Sequence, residues 1–157
     1  MIAEIDFLRL TEVPPEDILA HMSDPRLAAH MPLLKGAWDS ARVAEFVAFK
    51  EAFWRRDGLG HWAILVDGRY AGWGGFQLED GEWDYGLVLR PEAFGQGVAI
   101  TSRAFAFARV DPRIPYVTFL LPPTRRKLGA LKRLGARFVG DIDYEGERFL
   151  KFRLETG

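Results

Sequence analysis

The sequence predicts an α+β fold, with a central mixed, mostly antiparallel sheet of about seven strands flanked by four helices. Three pairs of an acidic residue and glycine separate alternating apolar runs, namely Asp67-Gly68, Asp80-Gly81 and Glu145-Gly146. Such pairs form the tight turns of antiparallel hairpins. Between the second and third pairs the apolar pattern takes a helical period and then becomes a continuous apolar strand, which is the order of a crossover unit.

Composition limits the classes of protein that fit this chain. It has 157 residues, 48% of them apolar, so we expect one domain over 1–157 with a core that needs no disulfide or metal. The net charge of -1 gives no long-range field, so no nucleic acid and no membrane surface is expected as a partner. Because the chain has no cysteine, an acyl-cysteine intermediate is excluded, and any thiol must come from a cofactor.

Two further patterns are missing from the sequence. There is no run of about 18 apolar residues and no basic-then-apolar leader, so we expect a cytoplasmic protein. The three histidines, His21, His30 and His61, lack the spacing of a metal site. We therefore expect no metal.

The first part of the chain predicts one strand and two helices. Alternation of apolar and polar residues predicts a strand over Ile2–Leu10. Two prolines followed by acidic residues predict a helix from about Pro14 to Met22. Ser40 is the predicted N-cap of a second helix that runs to Asp57, in which the following residues recur at helical spacing: Val43, Phe46, Val47, Lys50 and Trp54.

The rest of the chain predicts strands and two more helices. The tight turns separate three antiparallel strands, over His61–Val66, Tyr70–Leu78 and Glu82–Leu89. A third helix is predicted over Val98–Arg109 and a strand over Tyr116–Leu121. A fourth helix over Thr124–Leu134 and a closing hairpin of Arg137–Ile142 and Glu147–Leu154 complete the predicted elements.

A glycine-rich segment, Phe94-Gly95-Gln96-Gly97, joins the third of these antiparallel strands to the third helix. Glycines let a ligand approach the backbone closely, and the N–H groups and dipole of a helix N-terminus favour phosphate. We expect a phosphate-bearing cofactor here; the alternative is a turn that only forms a tight corner. A dinucleotide site is disfavoured because Ile100 occupies the position of the third glycine in G-x-G-x-x-G, and no triphosphate-binding Gly-Lys-Ser/Thr follows.

The element order, together with two segments, resembles the GNAT superfamily of acyl-CoA-dependent N-acetyltransferases. The similarity is greatest to the branch that includes the ribosomal-protein N-terminal acetyltransferases. One segment is Val88–Ala99, which fits the family signature Gln/Arg-x-x-Gly-x-Gly/Ala at Gly97 and Ala99, and the other is Leu131–Ala136. Phe94 stands where Gln or Arg is common in the family.

The resemblance implies that acetyl-CoA is the cofactor and that it lies where the sheet splays between its fourth and fifth strands. Backbone amides from Gly95 to Ala99 are implied to hold the pyrophosphate, with the pantetheine arm along Leu87–Arg90, where splaying leaves backbone groups without partners. The N–H of Leu87 or a neighbour is implied to stabilise the oxyanion. The implied cofactor-binding residues are Leu87, Val88, Leu89, Arg90, Phe94, Gly95, Gln96, Gly97, Val98, Ala99, Thr124 and Lys127.

Transfer to an amine requires the amine to be neutral, so a base or a water chain must remove a proton. The resemblance implies Asp84 as this base, acting through water, because the branch often has Glu at the position. A solvated hairpin carboxylate is the alternative interpretation. Acidic neighbours around the same turn either attract a cationic amine or are simply solvated surface: Glu79, Asp80 and Glu82.

Several positions depart from the family pattern. Thr124, Lys127 and Leu131 stand where the family often has Asn, Ser and a Tyr that protonates the leaving thiolate. Water supplies that proton instead, or activity is low, or the chain is a non-catalytic module that binds coenzyme A or another nucleotide. The cations Arg125, Arg126 and Lys127 open a predicted helix, where they oppose its dipole, so they contact a cofactor phosphate or serve solubility.

The partners are less well specified. A small-molecule or peptide amine is the expected acceptor, and a homodimer through the sheet edge or the first helices is left open. Most of the aromatic rings are expected in the core, with Trp38 and Trp73 as candidates for a substrate pocket. Glu51 is expected on an exposed helix face.

Overall fold

The computed structural model describes residues 2–28, 36–121, 123, 133 and 135–156. The helices in this part of the chain are α1 (Pro15–Met22), α2 (Pro25–Ala28), α3 (Ser40–Asp57) and α4 (Gly97–Val110). The strands are β1 (Ile5–Leu8), β2 (His61–Val66), β3 (Arg69–Glu79), β4 (Glu82–Leu89), β5 (Tyr116–Leu121), β6 (Arg137–Tyr144) and β7 (Glu147–Glu155). Short 3₁₀ helices cover Leu10–Glu12 and Pro91–Gln96.

The strands form one seven-stranded sheet in the order β1-β2-β3-β4-β5-β7-β6. Every neighbouring pair is antiparallel except β4 and β5, which are parallel and joined through α4. The predicted α+β class, with a mixed and mostly antiparallel sheet, is therefore confirmed.

The three predicted hairpin turns are all present. Asp67, Asp80 and Glu145 have positive φ values of 51°, 50° and 50°, and the glycines that follow them have φ values of 80°, 78° and 82°. Two successive residues with positive φ are the requirement of the type I′ turn, whose twist matches that of the flanking strands. These short local signals therefore set the register of the meander and of the closing hairpin.

Some element boundaries differ from the prediction. The first strand covers Ile5–Leu8 rather than Ile2–Leu10, because a 3₁₀ helix begins at the buried Leu10. The N-cap of α3 is Asp39 and not Ser40, since the Asp39 carboxylate accepts a 2.8 Å hydrogen bond from the backbone N–H of Arg42. The short helix α2 was not predicted, and the helix predicted over 124–134 lies outside the described residues.

Different helices cover the two faces of the sheet. On one face, α4 packs through Phe105 against Tyr85 of β4 and through Phe107 against Phe76 of β3. On the other face, Val43 of α3 packs in one cluster with Trp73 of β3. Since side chains alternate along a strand, Asp84 and Gly86 of β4 point towards the face covered by α1 and α3, which we call the α3 face.

None of the helices in the described residues combines the length and the apolar character needed to cross a bilayer.

Candidate active site

The two parallel strands at the centre of the sheet separate along their length. Their pairing comprises Trp83 with Val117, Asp84 with Thr118 and Tyr85 with Phe119. Within the described residues it ends there, although β4 continues to Leu89. A gap therefore opens beside the second half of β4, as the resemblance implied.

The backbone of β4 turns polar groups into this gap. Arg90 N–H donates a 2.9 Å hydrogen bond to the Ala71 carbonyl, so this pair is a hydrogen-bonded pair of the β3–β4 ladder. Antiparallel pairs alternate, which makes Leu89 opposite Gly72 and Leu87 opposite Gly74 the non-bonded pairs. The N–H and C=O groups of Leu87 and Leu89 therefore point away from β3 and towards β5.

The side chains of this stretch serve the fold rather than the gap. Val88 and Leu89 are buried in two different apolar clusters, and Leu87 packs against the core. Arg90 forms an ion pair with Glu92, at 3.2 Å, and a 3.3 Å hydrogen bond with the Tyr70 carbonyl. A ligand in the gap therefore meets mainly the backbone of β4.

The glycine-rich segment is helical, which corrects the expected turn. Residues Pro91–Gln96 form a 3₁₀ helix that leads directly into α4, and Gly97 has ordinary helical angles of φ -57° and ψ -41°. Neither Gly95 nor Gly97 adopts a positive φ. Their lack of a side chain matters for space: a Cβ at Gly95 meets no described atom within 4 Å, and one at Gly97 stands 3.8 Å from Leu89.

The first turn of α4 is accessible from solvent. Val98 is 74% exposed and Phe94 47% exposed, and Gln96, at the N-cap, makes no side-chain capping bond with the described residues. A helix N-terminus with glycine before it and no side-chain cap favours an anion. Backbone N–H groups inside the preceding 3₁₀ helix bond to that helix's own carbonyls, so the exposed first turn of α4, at Val98 and Ala99, is the part that could hold a phosphate group. The β4 backbone beside it could hold an amide-rich arm.

The remaining predicted cofactor-binding residues, Thr124 and Lys127, lie outside the described residues. The same holds for Arg125, Arg126 and Leu131.

Asp84 lies at the start of the gap, on the α3 face of β4. Its Oδ1 accepts a 3.0 Å hydrogen bond from the Thr118 hydroxyl of β5. Burial raises the pKa of Asp84 to about 7, with Thr118 opposing the rise and the Glu79 carboxylate adding to it. A carboxyl group with this pKa exchanges protons near neutral pH, as a general base must.

Two other acidic residues of this hairpin, Glu79 and Glu82, have side-chain partners. Glu79 Oε1 accepts 2.9 Å hydrogen bonds from Gln77 Nε2 and from the Tyr144 hydroxyl. Glu82 is paired with Lys151 at 2.5 Å. A cleft of about 500 Å³ lies between the end of α3 and the β3–β4 turn, and it is lined by Glu79, Asp80 and Tyr144 among others.

Glu51 is not on an exposed helix face, which corrects that expectation. It is 8% exposed, and its carboxylate binds the Arg9 guanidinium and accepts a 3.2 Å hydrogen bond from the Thr11 hydroxyl. These contacts anchor α3 to the segment after β1. Of the tryptophans proposed for a pocket, Trp73 is buried beneath α3, and Trp38 packs edge-on against Phe46.

The sequence did not identify three polar residues of the α3 face as candidate site residues. Lys50, His61 and Gln77 are each 7% exposed, and Lys50 Nζ donates a 3.1 Å hydrogen bond to Gln77 Oε1. Burial lowers the pKa of Lys50 to about 8, and it lowers the pKa of His61 well below its ordinary value. The available signal was the helical spacing, because Lys50 shares the apolar face of α3 with Val43 and Val47.

The described residues contain no group of three His, Asp or Glu side chains that could hold a metal. His21 lies against the Tyr70 hydroxyl at 2.8 Å, and burial lowers its pKa to about 4. His30 is outside the described residues.

Several solved structures share this architecture. An acetyltransferase from Agrobacterium tumefaciens superposes with a TM-score of 0.73 at 21% identity, covering 99% of this chain and 93% of its own. The ribosomal-protein α-N-acetyltransferase RimL, in complex with coenzyme A, gives a TM-score of 0.75 at 15% identity, with 96% and 93% covered. The microcin self-immunity acetyltransferase MccE, in complex with acetyl-CoA and AMP, gives 0.75 at 14% identity, with 97% and 92% covered.

Sequence comparison gives the family directly. The family model described as acetyltransferase (GNAT) domain matches residues 8–137, which is most of the chain. The match includes the gap beside β4 and the first turn of α4. The chain belongs to the GNAT acetyltransferase family.

Proposed function

We propose that the protein is an N-acetyltransferase that moves an acetyl group from acetyl-CoA to a primary amine by direct attack. The observation that carries the proposal is the position of Asp84, a carboxyl group with a pKa near 7 at the start of the gap between β4 and β5. An acid–base group and a donor site for a carrier molecule thus adjoin each other on one strand.

Acetyl-CoA is the cosubstrate, and it supplies an acyl carbonyl activated by a thiol leaving group. Two features of this chain fit it. The N–H and C=O groups of Leu87 and Leu89 are turned towards the gap, where the amides of a pantetheine arm complement them. The uncapped first turn of α4, with the open space at Gly95, suits the pyrophosphate.

Asp84 takes a proton from the acceptor ammonium, directly or through one water, so that a neutral amine is available. The N–H of Leu87 points into the gap and is the proposed donor to the oxygen of the acyl carbonyl, where negative charge develops during attack. The direct route is favoured over a covalent enzyme intermediate, since the chain contains no cysteine. Water is the proposed source of the proton for the departing thiolate.

The acceptor enters from the α3 face, where Asp84 is reached. Glu79 and Asp80 line the cleft that adjoins this face. Arg56 also lines it but is paired with Asp57, so the cleft keeps a net negative charge, which attracts a cationic amine. The resemblance to the ribosomal-protein branch makes peptide N-termini one class to test, beside small-molecule amines.

A thiol-release assay tests this function. Acetyl-CoA is mixed with peptide, polyamine, amino-acid and aminoglycoside amines, and binding of acetyl-CoA is measured separately by calorimetry. We expect binding together with amine-dependent release of coenzyme A. Binding without turnover on the whole panel would instead support a non-catalytic module, and absence of binding would refute both.

A further inference from the structure

The imidazole of His61 reaches from β2 to the strand that carries Asp84. His61 pairs with Gly75 of β3, and Gly75 pairs with Gly86 of β4. Two strand spacings, about 9.6 Å, separate β2 from β4. The His61 ring nevertheless stands 3.8 Å (Cε1) and 3.9 Å (Nε2) from the position that a Cβ would take at Gly86. The ring therefore extends across β3 on the α3 face.

The space beside Gly86 is open on this face. Apart from the chain neighbours of Gly86, the His61 ring supplies the only atoms of the described residues within 4 Å of that Cβ position. Gly86 is itself partly exposed. It lies two residues from Asp84 on the same face, so their Cα atoms are about 7 Å apart, and the next residue is Leu87. The space therefore lies between the proposed base and the proposed donor to the acyl oxygen.

The His61 ring is held in place by neighbouring tryptophans. The backbone carbonyl of His61 accepts a 2.9 Å hydrogen bond from Trp54 Nε1. The imidazole lies tilted against the Trp73 ring, with centroids 5.6 Å apart, and the residue is 7% exposed. These contacts orient the ring before any ligand arrives.

The hydrogen bonding of this ring is incomplete. Nδ1 is buried without a partner, and none of the described residues bonds to Nε2 either. Burial and the charge of Lys50 lower the pKa of His61 well below its ordinary value, so the ring is neutral and carries one N–H. A buried N–H without an acceptor is rarer than a buried lone pair without a donor. The proton is therefore expected on Nε2, which borders the space at Gly86.

A neutral N–H at this place suits an uncharged oxygen. It donates to a carbonyl or hydroxyl, whereas the nearby charge of Lys50 disfavours a second cation. The acceptor amine must reach Asp84, two residues along the same strand, so the oxygen has to be close to the amine within the acceptor. An α-amino amide, such as a peptide N-terminus, and an amino alcohol with adjacent groups both have this spacing.

We propose that His61 is a specificity-determining residue, whose Nε2–H binds an oxygen carried on the carbon next to the amine-bearing carbon of the acceptor. The inference rests on the proposed function and narrows its substrate class to such amino-oxygen compounds. A plain alkylamine leaves the Nε2–H without a partner, so it is a poor acceptor.

The test compares acceptors of matched shape. Alaninamide is paired with the amine in which an isopropyl group replaces its carboxamide, and alaninol is paired with sec-butylamine. The kcat/KM values are expressed per neutral amine, so that differences in amine pKa do not contribute. We expect each oxygen-bearing amine to exceed its hydrocarbon analogue by about tenfold. A tripeptide that begins with alanine is assayed in parallel and separates a peptide acceptor from a small amide.

Variants locate this preference. His61→Phe keeps a ring but no donor, and it is expected to lower kcat/KM for alaninamide about tenfold and to leave the hydrocarbon analogue within about twofold. His61→Gln, which keeps an N–H, is expected to restore part of the loss. The matched control is His21→Phe, at the other buried histidine of the described residues, which is expected to retain the preference.

Gly86→Ala keeps the test valid if the His61 variants fail to fold. Gly86 has no positive φ, and a Cβ there makes ordinary van der Waals contact with the His61 ring. The methyl group separates Nε2 from the acceptor, so the preference is expected to disappear. Nitrogen NMR of the histidine-labelled protein gives the tautomer without any substrate. A proton found on Nδ1 of His61 overturns the proposed donor.

The outcomes separate the two proposals. Turnover with equal preference for the paired amines, a preference that survives in His61→Phe, or an equal loss of rate for both members of a pair overturns the role of His61 and leaves the proposed function intact. If the protein acetylates no amine of either kind, both proposals fall.

Discussion

The Thr118 hydroxyl donates a 3.0 Å hydrogen bond to Oδ1 of Asp84 across the parallel pair of β4 and β5. The bond stabilises the ionised carboxylate, while burial favours the protonated form and raises the pKa of Asp84 to about 7. These opposing effects leave the proposed base partly ionised near neutral pH. The hydrogen bond also fixes the Asp84 side chain at the part of β4 that is still paired with β5.

The first prediction concerns pH. Because Asp84 must be ionised to accept a proton, transfer rates are expected to rise with pH through an apparent pKa near 7. Asp84→Asn is expected to lower the rate by about 10² to 10⁴ and to remove this limb of the profile. Both proteins are assayed with the same amine, so that the titration of the amine contributes equally. A variant with wild-type rates excludes Asp84 from the mechanism.

Thr118→Val isolates the hydrogen bond. Loss of the hydroxyl removes the contact that favours the ionised form, so the pKa of Asp84 rises and the pH profile shifts to higher pH by about 0.5–1 unit. Well above this range the rate is expected to be unchanged, since Asp84 is then ionised in both proteins. Thr101→Val is the matched control, because Thr101 contacts the Tyr85 hydroxyl on the opposite face of the sheet. An identical shift in both variants contradicts the assignment.

Asp84 also makes stability depend on pH. Its pKa is about 7 in the folded protein and 3.8 in the reference state, so between these values the folded chain keeps a proton that the unfolded chain has lost. The free energy of unfolding therefore falls as pH rises from about 4 to about 7. Asp84→Asn is expected to increase it by about 1–2 kcal/mol at pH 8, with little change at pH 4.

Thermal unfolding at the two pH values checks this difference. Asn keeps an acceptor for the Thr118 hydroxyl, so packing is little altered. Equal changes in melting temperature at both pH values disagree with a raised pKa in the native state.

A fourth prediction concerns the loop before α4. A Cβ at Gly95 meets no described atom, so Gly95→Ala is expected to change the free energy of unfolding by less than about 0.5 kcal/mol. The same methyl group fills space that the proposed pyrophosphate needs, and we expect acetyl-CoA to bind about tenfold more weakly. Calorimetry measures the affinity, and urea denaturation measures the stability.

The matched control is Gly68→Ala in the β2–β3 turn, where a Cβ is also unobstructed but far along the chain from α4. Positive φ at Gly68 makes this change costly to stability, yet it is expected to leave the affinity for acetyl-CoA unchanged. Unaltered affinity in the Gly95 variant contradicts a phosphate site at this loop.

The sequence predicted best what depends on short segments. The hairpins were found because Asp67 and Asp80, each followed by glycine, favour type I′ turns regardless of the rest of the chain. Asp84 was singled out through the resemblance to the family, and the loop at Gly95 through its glycines at the start of a predicted helix; the roles of both stay predictions. The 3₁₀ helix over Pro91–Gln96 was missed, since glycine is compatible with both a turn and a helix.

What the sequence did not predict depends on contacts between distant segments. The surroundings of Lys50 come from β3, β4 and the β6–β7 turn, which only the folded chain brings to α3. The environment of Glu51 depends in the same way on Arg9, far away in the chain. Helical spacing placed Lys50 on an apolar face, but it gave no indication of which side chains lie opposite.

Only three residue pairs join β4 to β5 within the described residues, so the two halves of the sheet, β1–β4 and β5–β7, are held together by a short stretch of strand pairing. A ligand bound between the unpaired parts of β4 and β5 adds hydrogen bonds that the chain does not make itself, and it adds them only in the folded protein. Binding of acetyl-CoA must therefore raise the thermal stability of the protein. At an acetyl-CoA concentration of a hundred times the dissociation constant, the free energy of unfolding increases by about 2.7 kcal/mol.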